Sequence, residues 1–224
     1  MPTLLNPSRL LPPAPFPIVE SVTPTQFSSN ANSFNVNLPE IVNAGNLLWL
    51  HLTVLNTGTI SGPLGWSNLR TPSSINIFSG KVADGTEGGT SVTVNKTGTA
   101  DTAVAQVIQV SNWSGNLSDV ESVAGSTLFN TSSFNPPNLV PTWGAANTLW
   151  IAAYWAQFQV TSITSYPSDT INQNYQNDGS GGGRCEIASA TRALNASSWD
   201  PGAFVVSGLQ NFAAAYTFAI RPFI

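Results

Sequence analysis

Ala44-Gly45-Asn46-Leu47-Leu48-Trp49-Leu50 reads almost residue for residue onto Ala145-Ala146-Asn147-Thr148-Leu149-Trp150-Ile151, 101 positions later. Each copy opens an apolar run, Leu47–Leu55 in the first and Leu149–Phe158 in the second. Each is followed by turn-rich chain, a second apolar run with one basic residue (Lys81, Arg192), and a Gly turn. The turns are Thr86-Glu87-Gly88-Gly89 and Trp199-Asp200-Pro201-Gly202, and the halves close on Val104–Val110 and Ala214–Ile220. Self-similarity at one fixed offset is a mark of architecture before it is a mark of chemistry. The half-repeats span about 43–112 and 144–221.

Outward from these runs the chain reads as short strands. Phe34–Leu38, Ile75–Val82, Ser91–Val94, Val120–Val123, Glu186–Ala193 and Ala203–Val206 are bounded by Gly, Asn, Pro and Ser, with turn pairs such as Asp84-Gly85 and Asp178-Gly179. Apolar residues do not recur at i, i+3, i+4 and i+7 over any long window, so the pattern predicts strands and no long helix. The expected fold is all-β: a two-sheet antiparallel β-sandwich of jelly-roll type, internally duplicated and preceded by an extended N-terminal arm. Residues 27–224 form the expected single sandwich domain, because either half alone would bury too little surface.

Residues 1–26 hold seven of the 16 prolines. Proline fixes φ and removes a donor, so this stretch predicts an extended arm. Leu4, Leu5, Leu10, Leu11 and Phe16 make it too apolar for a pure solvent linker and are its candidate interface residues. The arm either folds back on its own domain or forms a disordered tail, or else it lies across a neighbouring subunit.

Hydrophobic residues make up 42% of the chain and charged residues 8%, with 7 Trp, 11 Phe and 4 Tyr. So many aromatics provide a core, and Ser, Thr, Asn, Gln and Gly must cover the surface. A net charge of −4 repels neighbouring copies only weakly and suits packing into an assembly. Seven scattered basic residues form no Lys/Arg patch, which argues against nucleic acid. The apolar runs stop near half of the roughly 20 residues that a spanning helix needs. Prolines interrupt the N-terminal leucines, unlike a signal-peptide core, so synthesis in a cytoplasm is expected.

Reactive groups are few. Cys185 is the one cysteine, read as a small buried hydrophobe. His51 is the one histidine, inside a strand on the face of Trp49 and Thr53, where a structural role is expected. No metal or other cofactor is expected from so few ligands. The carboxylate pairs Asp84/Glu87, Asp119/Glu121 and Asp169/Asp178 lack a calcium-loop spacing, and Asp84/Glu87 reads as a hairpin connection. Residues 177–184 are Gly-rich but lack the Gly-Lys-Ser/Thr ending of a phosphate loop, and read as a hairpin tip. Trp66, Trp113, Trp143 and Trp199 lie near turns, where a large aromatic caps the sandwich or meets a ligand at the surface.

Several motifs together carry a family resemblance: residues 44–50, Gly65-Trp66, Val82–Thr90, Asn147–Ala152, Asp200-Pro201-Gly202-Ala203-Phe204 and Ala219-Ile220-Arg221-Pro222. In their order they resemble a widespread family of tailed-bacteriophage virion proteins, whose β-sandwich modules occur in capsid decoration proteins, head fibres and tail fibres. The likeness covers about 40–224 and leaves the arm outside. It implies a non-enzymatic protein on the particle exterior, without catalytic residues. A capsid decoration (cement) protein would bind the major capsid protein and sister copies, as in a homotrimer. The alternative it implies is a tail- or head-fibre module that binds a receptor or glycan.

Overall fold

The computed structural model describes residues 14–70, 73–157, 162–179 and 185–223. Leu4, Leu5, Leu10 and Leu11 lie outside the described residues. The described chain is all-β and antiparallel, as the sequence predicts, and its one helical turn is a 3₁₀ turn at Leu117–Asp119. Among the described residues, no helix is long and apolar enough to cross a membrane.

The strands of the first half are β1 (Ile18–Ala31), β2 (Ser33–Asn37), β3 (Leu47–Val54), β4 (Ile60–Ser61), β5 (Ser67–Asn68), β6 (Asn76–Val82), β7 (Ser91–Lys96) and β8 (Asp101–Ser111). Those of the second are β9 (Val120–Ala124), β10 (Thr131–Phe134), β11 (Ala146–Gln157), β12 (Ile163–Ser165), β13 (Ile171–Asn177), β14 (Cys185–Ala196), β15 (Phe204–Gln210) and β16 (Phe212–Ile220). The first half forms a five-stranded sheet in the order β1-β8-β3-β6-β5 and a three-stranded sheet β2-β7-β4. The second half forms β9-β16-β11-β14-β13 and β10-β15-β12, the same orders with eight added to each number. Strand 1 beside 8 and 3 beside 6, with 2 beside 7 in the facing sheet, is jelly-roll connectivity.

The duplication therefore goes further than the sequence pattern indicates. Each half has eight strands among the described residues, and each is a two-sheet sandwich in itself. The five-stranded sheets lie back to back. Trp49 on β3 meets Phe218 on β16 with ring centroids 5.2 Å apart, and Phe78 on β6 meets Tyr216 at 4.9 Å. The three-stranded sheets close the outer sides, giving layers of three, five, five and three strands.

This layering explains the unbroken apolar runs. In β11, Leu149, Ile151, Ala153 and Trp155 face the seam between the halves, while Trp150, Ala152, Tyr154 and Ala156 face the second half's own interior. A strand buried on both faces has no reason to alternate polar and apolar residues. Two polar pairs cross the seam: Gln157 Nε2 donates to the Val54 carbonyl (2.6 Å), and Ser189 Oγ donates to Gln106 Oε1 (3.1 Å).

The arm is shorter than expected. Ile18–Ala31 pairs with β8 along its length, so residues 18–26 belong to the sheet and the expected boundary after Gln26 falls in mid-strand. Pro24 is tolerated there because β1 is an edge strand, where a missing N–H need not break the ladder. Residues 14–17 lie on the second half before the chain enters the first. The Ala14 carbonyl accepts a hydrogen bond from Asn147 Nδ2 (2.6 Å). Phe16, an expected arm-interface residue, is half-buried in a groove with Leu149 and Ile171 of the same chain.

Candidate functional site

His51 is wholly buried in the seam, stacked on Phe78 at 4.2 Å, with Nε2 donating to Asn76 Oδ1 at 2.7 Å. Burial holds its pKa down at about 3 against the hydrogen bond to Asn76, which pulls the other way. It is the neutral structural histidine that its place between apolar strand residues predicts. Cys185 is buried beside Asp178, and burial pushes its thiol pKa well up, which makes it a poor nucleophile.

The carboxylate pairs disperse into structural roles. Glu87 accepts the backbone N–H groups of Asp84 and Gly85, both at 3.0 Å, and pairs with Lys81 at 2.8 Å. Hydrogen bonds from the Thr86 hydroxyl and amide hold Asp84 down at about 2. This turn joins β6 to β7, which belong to different sheets, so it is a crossing between layers and not the expected hairpin connection. Asp169 pairs with Arg192 at 3.8 Å, whereas Asp178 accepts from Thr102 Oγ1 at 2.6 Å in the seam. Among the described residues, no three of His, Cys, Asp and Glu converge as metal ligands do. The Gly-rich stretch is described only as far as Gly179, and it leads from β13 into its antiparallel neighbour β14.

The four tryptophans set out as surface candidates separate into two kinds. Trp113 and Trp199 are buried, at 3% and 4% exposure, and are withdrawn from the surface. Trp113 donates from Nε1 to the Gly45 carbonyl at 2.8 Å, and Trp199 packs on Trp150 at 6.0 Å. Trp66 and Trp143 are half-buried, Trp66 against the core of the first half and the seam, Trp143 against that of the second half.

Trp143 stands in a recess of mixed aromatic, amide and cationic character. The loop before β11 supplies Trp143, the start of β11 supplies Asn147, the end of β14 supplies Asn195, and the chain leaving β16 supplies Arg221 and Pro222. Ala14 closes one side, and the volume is about 330 Å³. Trp143 is fixed from below by its Nε1 donating to Thr148 Oγ1 at 3.2 Å. It is fixed from the side by Glu121, whose carboxylate accepts from the Thr142 backbone N–H and hydroxyl. The Arg221 guanidinium lies 6.0 Å from the Trp143 ring centre and pairs with Asp119 at 3.4 Å. Asn195 Nδ2 donates to Asn147 Oδ1 at 2.7 Å.

No family model, curated protein or solved structure matches this chain. The internal comparison between the halves is therefore the informative one. In the turn before β3, Trp113 Nε1 donates to the Gly45 carbonyl and Asn46 is 7% exposed. At the corresponding entry to β11, Asn147 is half-buried and lines the recess. Sequence reading found Trp143 by its place near a turn. It missed Asn195 and Arg221, which reach the recess from distant strand ends and carry no local signal.

Proposed function

We propose that this protein is a non-enzymatic structural protein of a tailed-phage virion, a decoration protein that binds the outside of the head together with sister copies. The observation that carries this reading is the paired jelly roll with uncharged outer sheets. On the outer face of the first half, Ser33, Asn35 and Asn37 of β2 lie opposite Asn95, Thr93 and Ser91 of β7, all exposed. Such a face lacks the charge that keeps proteins apart, and it has short polar groups able to meet a neighbour's backbone and side chains. The motifs that resemble the phage family add support. They lie at strand ends and turns of the two halves. Leu4, Leu5, Leu10 and Leu11 are the residues this reading assigns to a contact with the major capsid protein.

Peptide mass spectrometry of virions split into heads and tails tests the reading. The expected result is enrichment in the head fraction in many copies per particle, with cryo-microscopy placing it on the outer surface. Recovery with tails, or absence from the particle, would overturn it.

A further inference from the structure

We infer that the recess around Trp143 is a binding site for an uncharged glycan. The argument starts from the chemistry of its walls. A sugar ring offers an apolar C–H face and a rim of hydroxyls that each donate and accept. Trp143 supplies an aromatic surface held rigid by Thr148 and by the Glu121-anchored loop. Asn147 and Asn195 supply carboxamides, the groups that match a hydroxyl's double role. Arg221 supplies a guanidinium with more donors than its contact with Asp119 engages. The volume, about 330 Å³, falls at the small end of the range of about 300–1,000 Å³ usual for ligand clefts.

Charge decides the ligand class. Asp119 offsets Arg221 at 3.4 Å, and the Glu121 carboxylate lies beside the loop that carries Trp143. One positive charge against two negative ones disfavours phosphate, sulfate or an acidic sugar, and leaves a neutral hexose or N-acetylhexosamine as the best match. The two halves differ at this point of the duplicated plan: Trp113 hydrogen-bonds the turn before β3, whereas Asn147 at the start of β11 lines the recess. The inference rests on these walls alone and not on the decoration reading: particle location tests that reading, and sugar binding tests this one.

The full chain is applied to a printed array of neutral hexose and N-acetylhexosamine oligosaccharides, with uronic-acid and sialylated glycans alongside, and the best binder is titrated in solution. Binding to a neutral glycan is expected, weakened about tenfold by Trp143→Ala through loss of the stacking surface. Asn195→Ala, at an exposed position, weakens it with melting temperature unchanged, and Trp66→Ala leaves the affinity as it was. If Trp143→Ala fails to fold, Asn195→Ala decides. No binding to any neutral glycan, binding to acidic glycans alone, or undiminished binding by the variants overturns the inference.

Discussion

Trp49 and Trp150 hold the same place in the repeated heptapeptide, yet they point in opposite senses: Trp49 out of its jelly roll into the seam, Trp150 inward to its own core. The ladders show why. Leu47 pairs with Val110 and Leu149 with Ile220, and both leucines face the seam, so Leu149 is the structural counterpart of Leu47. Thr148 adds one residue between the turn asparagine and that leucine. A single-residue shift turns every following side chain to the other face.

The two tryptophans should therefore fail differently. Trp49→Ala and Trp150→Ala each cost about 3–5 kcal/mol, the usual range for deleting a buried large aromatic. Hydrogen exchange separates them. Trp49→Ala raises exchange in both β6 and β16, across the seam, whereas Trp150→Ala raises it in the second half alone.

His51 gives the seam an acid sensitivity. Its folded pKa of about 3 lies below the unfolded value of 6.5, so the unfolded chain binds the proton more readily. The stabilisation is complete above pH 6.5 and is lost as pH falls towards 3, to a total on the order of 5 kcal/mol. Urea denaturation of the parent and of His51→Phe across that window checks it: the difference in their slopes should correspond to one proton.

Lys96 and Asp101 form an ion pair at 3.5 Å with side chains 0% and 1% exposed, supported by Asn56 on the carboxylate and the Thr99 carbonyl on the ammonium. Lys96→Met strands the carboxylate and should cost about 3–5 kcal/mol by chemical denaturation. Lys96→Met with Asp101→Asn should recover part of that loss.

The turn at Asp84–Glu87 makes a contrasting case. Glu87→Ala removes the acceptor for two backbone N–H groups and Lys81, at a cost of about 2 kcal/mol in thermal or chemical melts. Asp84 is exposed, and Asp84→Ala should shift the midpoint far less.

Strands such as β3, β8, β11 and β16 are legible because they are long and apolar throughout. β1 was hidden by Pro24 and by its continuity with the Pro-rich start, β13 by the polar run Asn172-Gln173-Asn174, and β4, β5 and β12 by lengths of two or three residues. Of the recess, only Trp143 could be singled out beforehand. Asn195 and Arg221 gain meaning from the strand order, which brings the ends of β14 and β16 together on either side of β11.

The sequence by itself determined the all-β class, the places of the buried strands and the presence of two related halves, because burial on any face demands apolar residues at those positions. It could not determine which way each side chain faces. Where both faces are buried, the alternation that would report direction is erased. Only the hydrogen-bonded register decides, and with it the back-to-back packing and the opposed tryptophans.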